Sequence, residues 1–484
     1  MKGGRTRHFP LFEAHPAVNA PLPRLDPGLL EPLARRENPP TDLPLDPGLP
    51  PALGNYQILA RLGEGATSEV LLGLDRFRQQ QVAIKRLRPH RLLDGAERRY
   101  AERFFAVEAT LVGRLQHPNL VRLLDAFESP EGPCLVMEYV PGVTLRHFCD
   151  PGRLLSLEQV VEVGFKCAMA LGHLWQHGLI HRDVKPANIL VSTDGPDVVA
   201  VKVTDFGSML NLWADVTQVH RVGTLAYIAP EQLEGDPLDC RSDIYALAAV
   251  MHHLVAGRPP FDGATQAEML RRVVSEPAPS LLGVRPGVTP ALDDCLHRAL
   301  SKDRRERHGS WEEFAQALAG LIRHGEVPRG TFQRVLDSER FGLLRPLPFF
   351  EGFAETSLWE VVHRAQWRRY PAGRRLMRHG ETTREFHVIV QGEVEVLREG
   401  QTVAHLGPGQ TVGEMALLAP SPALREHRAD VRATQTCVTV VLDPAGLERL
   451  GRETRHQLDQ AFIGVLVRRL HAAHEALQHP RQIL

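Results

Sequence analysis

Apolar and polar positions change rhythm several times along the 484-residue chain. Residues 1–54 show no period and carry twelve prolines. Prolines at that density remove backbone donors and block helix, so this stretch predicts a disordered tail with Asp-Pro-Gly turns at 26–28 and 46–48. Its functional alternative is a docking segment for proline-binding modules. From Tyr56, short β-branched runs such as Val82-Ala83-Ile84 predict strands, and longer helical patterns then run on to Ile322. A strand-rich start and a helix-rich body predict two lobes of different class. A polar connection follows at 323–340. From Phe349 the period returns to two, with Phe386, Val388, Val390, Gly392, Val394 and Val396 alternating with polar or outward positions. Turn signals at Pro371-Ala372-Gly373, His379-Gly380 and Gly407-Pro408-Gly409 cut this region into short strands, which predicts a small β-roll or barrel. The last forty residues are helical in pattern, with Phe462, Ile463, Val465, Leu466 and Leu470 expected on one face. The expected organisation is a tail (1–54), a first folded domain (55–322), a linker (323–340) and a second domain with a C-terminal helix (341–484).

Composition narrows the class. Hydrophobic residues make up 43 % and charged residues 24 %, ordinary values for globular domains with buried cores. The net charge of -1 gives no basic excess for nucleic acid or an anionic membrane surface. The six cysteines form no C-x-x-C pair and read as thiols in a reducing compartment. No basic start followed by a short apolar run marks a secretory leader. The richest apolar run, Ala246 to Val255, is interrupted by His252 and His253 and predicts a buried helix, not a membrane span. A cytoplasmic protein that binds no nucleic acid is the expectation.

The candidate chemistry lies in the first domain. Phosphoryl transfer needs a cradle for phosphates, cations to offset their charge and an oriented acceptor hydroxyl. Leu62-Gly63-Glu64-Gly65-Ala66-Thr67-Ser68-Glu69-Val70 has the glycines of a phosphate flap, where backbone N–H groups approach without a Cβ in the way, although Ser68 takes the place of a third glycine. Val82-Ala83-Ile84-Lys85 follows and offers an ammonium to the phosphates. Glu108, in an amphipathic run before His117-Pro118-Asn119, is the expected carboxylate partner of Lys85. In His181-Arg182-Asp183-Val184-Lys185-Pro186-Ala187-Asn188, Asp183 can orient the acceptor hydroxyl or take its proton. Lys185 can offset charge on the transferred group, and Asn188 can bind a metal through its amide oxygen. Asp205-Phe206-Gly207 supplies a second oxygen ligand suited to Mg²⁺. Ala229-Pro230-Glu231 completes the series.

In this order and spacing, residues 56–320 resemble the eukaryotic-type protein kinase family, and the flap is similar to that of bacterial members. The resemblance implies a two-lobed α+β fold with ATP and Mg²⁺ in the cleft and a protein substrate. It makes Met137-Glu138-Tyr139-Val140 the hinge, with Glu138 and Val140 bonding adenine and Leu62, Gly63, Gly65, Val70, Ala83 and Leu190 around the nucleotide. Lys185 and Thr224, the latter supporting Asp183, match Ser/Thr members of the family. Asp243 resembles the residue that anchors the catalytic loop, and Arg307 the arginine that pairs with Glu231. Arg182 before Asp183 fits activation-loop phosphorylation, for which Thr217 is the candidate and Ser208 the lesser one. A pseudokinase scaffold and a small-molecule kinase are the alternative readings.

Residues 349–450 resemble the cyclic-nucleotide-binding family, a β-roll with flanking helices. The resemblance rests on Tyr370-Pro371-Ala372-Gly373, Val390-Gln391-Gly392-Glu393-Val394 and above all Gly413-Glu414-Met415-Ala416-Leu417-Leu418. It implies cAMP or cGMP as ligand, with the phosphate at the helix after Gly413 and the ribose hydroxyl on Glu414. The family's phosphate-binding arginine falls on His427 when Ala429-Asp430-Val431 is aligned, in a longer loop flanked by Arg425 and Arg428. A cassette that binds nothing and serves packing or homodimerisation is the alternative. The chain after Leu450 is too short for a DNA-reading module and predicts one long helix.

Overall fold

The computed structural model describes residues 49–64, 68–87, 105, 108–130, 132–194, 197–206, 210–211, 225–328, 336–419, 421 and 424–478. An antiparallel six-stranded sheet opens the fold, with spatial order β1-β2-β3-β4-β6-β5. Its strands are β1 (Ala52–Leu53), β2 (Tyr56–Glu64), β3 (Ser68–Asp75), β4 (Gln80–Leu87), β5 (Leu123–Ser129) and β6 (Gly132–Glu138). Period-two alternation sorts the side chains of β4 onto two faces. Val82 and Ile84 join Leu53, Ile58, Leu71 and Val136 in an outer cluster, while Ala83 joins Leu135 and Met137 in the main core. Lys85 shares the face of Ala83. β1 lies inside the stretch expected to be tail, and its Leu53 is buried, because pairing with Tyr56 brings it under the sheet.

The second lobe is helical. In chain order it holds β7 (Val143–Thr144), α1 (Leu157–Gln176), β8 (Leu179–Ile180), β9 (Ile189–Asp194), β10 (Asp197–Val203), β11 (Leu210–Asn211) and α2 (Pro230–Glu234). α3 (Cys240–Ala256), α4 (Gln266–Ser275), α5 (Pro290–Ala299) and α6 (Trp311–Arg323) follow. α1 starts at Ser156, whose hydroxyl accepts from Gln159 N while Gln159 reaches back to Ser156 N, a reciprocal cap that satisfies two orphan donors. α1 is buried on all sides from Leu157 to Leu171, and α3 nearly so, as expected of helices at the centre of a lobe. The Ala246–Val255 run is the core of α3.

The C-terminal region begins with α7 (Asp337–Leu344) and α8 (Glu355–Arg364). Residues 337–340, expected to be linker, are therefore helical, and α7 packs on α1, with the Phe341 ring 5.7 Å from that of Phe165. Two antiparallel four-stranded sheets follow, ordered β12-β19-β14-β17 and β13-β18-β15-β16. Their strands are β12 (Gln366–Tyr370), β13 (Arg375–Met377), β14 (Phe386–Gln391), β15 (Val394–Arg398), β16 (Gln401–Leu406), β17 (Thr411–Val412), β18 (Asp430–Ala433) and β19 (Cys437–Leu442). α9 (Glu414–Leu418), α10 (Pro444–Glu448) and α11 (Arg452–Gln478) are the remaining α-helices among the described residues. This is the expected β-roll with flanking helices.

Two local expectations fail. β14 does not alternate between core and solvent. It is buried from Phe386 to Val390, because it lies between β19 and β17 and is covered on both faces. On α11, Leu458, Phe462 and Val465 are buried, whereas Ile463 and Leu470 are 60 % and 72 % exposed. A helix turns by 100° per residue, so Ile463 cannot share the narrow buried stripe of Phe462.

Candidate functional site

Lys85 ties together segments far apart in sequence. Its Nζ donates to both Glu108 carboxylate oxygens, at 3.1 and 2.9 Å, and to Asp205 Oδ1 at 2.8 Å. β4 supplies Lys85, a helical turn at 108–110 supplies Glu108, and the chain just after β10 supplies Asp205. Burial alone would lower the Lys85 pKa, but the carboxylates of Asp205 and Glu108 outweigh it and hold the ammonium above its ordinary range. Lys85 in turn holds Asp205 below the usual carboxylate range, while burial pushes Glu108 up. Asp205 sits at φ 67°, a left-handed conformation that non-glycine residues adopt at a cost and that gathers at functional sites.

The second cluster lies on the loop between β8 and β9. Asp243 of α3 accepts from the backbone N–H groups of His181 (2.7 Å) and Arg182 (2.8 Å). These bonds fix a loop in which Arg182 also has a left-handed φ of 67°. His181 Nε2 lies 3.1 Å from Thr204 O, which links the loop to the residue before Asp205. Asp183 Oδ2 accepts from Lys185 Nζ at 2.7 Å and Asn188 Nδ2 at 2.9 Å. With its nitrogen committed to Asp183, Asn188 offers its amide oxygen to a cation. Thr204 N donates to Asn188 O at 2.9 Å, which ties the Asn188 segment to the residue before Asp205, and both side chains carry oxygens of the hard kind that suits Mg²⁺.

The structure brings together Lys85 with Glu108 and Asp205, and Asp183 with Lys185 and Asn188. Val70, Ala83, Met137, Val140 and Leu190 line one continuous apolar cluster, while Leu62 is exposed. Glu138 has its N–H engaged by Arg122 O (2.9 Å), and its carboxylate takes Lys202 Nζ at 2.5 Å, a cation that no motif announced. Glu231 and Arg307 form a buried two-pronged pair, at 2.7 and 2.9 Å, that fastens α2 to the loop before α6. Gly65, Thr224, Thr217 and Ser208 lie outside the described residues.

In the C-terminal domain, Gly413 (φ 90°) begins α9, and a Cβ there would sit 2.1 Å from Glu385 O, so only glycine fits. Ala416 is buried and Met415 is 67 % exposed. Glu414 is buried, and its Oε1 is paired with Arg469 of α11, whose guanidinium also donates to Thr411 O at 2.5 Å. Glu414 Oε2 is buried without a partner among the described residues. Burial pushes the Glu414 carboxyl up. His427 turns away from that role: its Nε2 meets Thr383 Oγ1 at 2.8 Å, and burial pushes its pKa down, which keeps it neutral. Arg425 is half-buried and its Nε has no partner among the described residues, Arg428 is exposed, and Arg384 donates to Leu417 O at the end of α9 (3.1 Å). Arg469 and Arg384 belong to no recognisable string, and Arg469 stands 55 positions from Glu414.

A two-lobed fold with a lysine bridging two carboxylates beside a hydrogen-bonded Asp-Lys-Asn loop defines a kinase. The protein kinase domain family matches residues 56–319, more than half of the chain, and the chain belongs to that family. The cyclic nucleotide-binding domain family matches residues 367–454. Serine/threonine-protein kinase PknB of Mycolicibacterium smegmatis is 36 % identical over 302 residues, covering 60 % of this chain and 47 % of that protein. The protein of the same name from Mycobacterium tuberculosis is 36 % identical over 299 residues, covering 60 % of this chain and 46 % of its own length. The probable serine/threonine-protein kinase PknB of Lactococcus lactis is 34 % identical over 277 residues, or 56 % and 43 %. The chain spans about half the length of the curated relatives it matches. Among the described residues, no helix is long and apolar enough to cross a membrane.

Proposed function

We propose that the chain transfers the γ-phosphoryl group of ATP to serine or threonine hydroxyls of a protein substrate. The observation that carries this reading is the bridge from Lys85 to Glu108 and Asp205, which sets a cation and a metal-binding carboxylate at one point. Lys85, held by Glu108, pairs with the ATP phosphates. Asp183, held by Lys185 and Asn188, aligns the acceptor hydroxyl and takes its proton as the oxygen attacks the γ-phosphorus and the bond to the β-phosphate oxygen breaks. Asn188 and Asp205 would hold Mg²⁺, which when bound would supply charge neutralisation to the phosphates. Val70, Ala83 and Leu190 pack the adenine, and the hinge at Glu138 and Val140 bonds its edge. The names of the relatives support serine or threonine as acceptor. Six cysteines, all buried and free, fit a reducing cytoplasm.

The test is transfer from γ-labelled ATP to a general protein acceptor and to the chain itself, followed by phosphoamino-acid analysis. Label on serine or threonine that vanishes in Asp183→Asn supports the reading. No transfer, or full transfer by that variant, refutes it.

Control of this activity by cAMP or cGMP is the second part of the reading, favoured by the orphan Glu414 Oε2, which suits a ribose hydroxyl. Calorimetric titration of each nucleotide into the full chain tests it. Micromolar binding supports nucleotide control; the absence of heat at millimolar ligand makes the domain a packing module.

A further inference from the structure

Helix α8 leaves the C-terminal domain and sinks Trp359 into the kinase domain. The indole is fully buried, with ring centroids 5.2 Å from Phe165 of α1 and 6.1 Å from Phe341 of α7. Its Nε1 donates to Asn119 Oδ1 at 3.0 Å. Asn119 ends the His117-Pro118-Asn119 segment that joins the helical turn of Glu108 to β5. The other end of the same amide donates to Val201 O at 2.9 Å, and Asn119 O accepts from Val203 N at 2.8 Å. Val121 N donates to Val203 O at 2.9 Å. Val203 closes β10, two residues before Asp205. Asn119 is therefore clamped between the indole and the strand that delivers the metal-binding carboxylate, and its amide cannot turn without losing a bond at one end.

Docking of the two domains does not need this N–H. Glu162 of α1 accepts from Asp337 N (3.1 Å) and Ser338 Oγ (2.5 Å), and Lys166 pairs with Asp337 at 3.1 Å. A phenyl ring would keep the aromatic contacts near Cβ and lose those of the second indole ring, at a cost read in the melting temperature. What the indole nitrogen adds is the fixed orientation of Asn119. On its other side α8 is held by α11, where Glu360 accepts from Gly451 N (2.9 Å) and Thr454 Oγ1 (2.5 Å). α11 also carries Arg469, the partner of Glu414. A connected series of hydrogen bonds and helix segments thus runs from the cassette through α11 and α8 to β10.

We propose that Trp359 is a positioning residue of the phosphotransfer site, supplied by the C-terminal domain. It orients Asn119, and through it the end of β10 that presents Asp205. The proposal rests on the kinase reading above.

The test compares the full chain with Trp359→Phe, which keeps an aromatic ring and removes the donor. Losing one buried hydrogen bond is expected to raise the KM for MgATP and the half-saturating Mg²⁺ concentration about five- to tenfold, with a smaller change in kcat. Asn119→Asp, which keeps the acceptor for Trp359 but loses the donor to Val201, is expected to shift KM in the same direction. The double variant should be no worse than the larger single change, because both break one linkage. Wild-type KM and Mg²⁺ dependence in Trp359→Phe, with or without a lowered melting temperature, would overturn the proposal by leaving the indole a packing group only. If the wild-type chain transfers no phosphate, the kinase reading falls, and calorimetric MgADP affinity then decides the role of Trp359. Weaker binding in Trp359→Phe supports it and equal binding overturns it.

Discussion

The catalytic cleft and the C-terminal cassette are both built around a buried carboxylate, yet they satisfy it in opposite ways. In the cleft, the motif residues hold one another, across motifs where Lys85 meets Glu108 and Asp205, and within one motif where Asp183 meets Lys185 and Asn188. In the cassette, Glu414 is met by Arg469 of the terminal helix, and His427 by Thr383. A burial cost that is offset inside the reacting set leaves that set ready for substrate. In the cassette the burial cost is offset by a helix outside the set, so the charge state of Glu414 depends on Arg469 of α11.

The largest effect that could break this contrast is expected at Asp183. Asp183→Asn should lower the initial rate of phosphate incorporation by about 10²–10⁴-fold, the usual contribution of a positioned base, with the melting temperature nearly unchanged. Next is Arg307→Ala, which leaves Glu231 buried without its two-pronged partner. It should cost about 3–5 kcal/mol in urea unfolding of the kinase domain.

Three smaller changes probe the cassette. His427→Arg restores an arginine at the position where the family's phosphate-binding arginine falls and should tighten cAMP or cGMP binding by about 1.5–3 kcal/mol in calorimetry, the range of a charge-assisted bond. Arg469→Ala leaves Glu414 buried and uncompensated, which should cost about 1–3 kcal/mol at pH 7. Burial raises the folded pKa of Glu414, so protonation favours the fold, and the charged form that needs Arg469 prevails only at higher pH. The loss caused by Arg469→Ala should therefore shrink as the pH falls from 7 to 5, which thermal melts across that window would show. Glu385→Gln should have the smallest effect. His387 and Arg368 hold the Glu385 carboxyl down at about 2, so its stabilisation is present above the unfolded carboxylate pKa and is lost only as the pH falls toward 2. Arg368 and Glu385 are partly exposed, which limits the loss to about 1 kcal/mol at pH 7.

Much of the cleft was legible in the sequence. Its residues sit in short strings whose members must lie close together in the chain to share a loop, as in Asp183, Lys185 and Asn188. The Asp243 anchor and the Glu231–Arg307 pair were legible through the same resemblance. Lys202 on Glu138 was not, because a lysine alternating along a strand looks like any solvated edge residue. The cassette glycine and glutamate were legible, but Arg469 was not: the helical period of α11 told which face is apolar only approximately and said nothing of what its arginines reach. The expected linker failed for a related reason. Asp337 and Ser338 look polar and exposed until Glu162 and Lys166 of a buried helix are placed opposite them.

The sequence by itself determined the kinase fold, the β-roll behind it and short-range groupings such as Asp183 with Lys185 and Asn188. Those features depend on local period and on motifs whose members are neighbours along the chain. Only the tertiary structure decided that Trp359 reaches Asn119 across 240 positions, that Arg469 occupies Glu414, and that His427 faces Thr383. Each of these pairs joins side chains from elements whose relative placement is set by packing of whole domains, and no spacing in the chain encodes it.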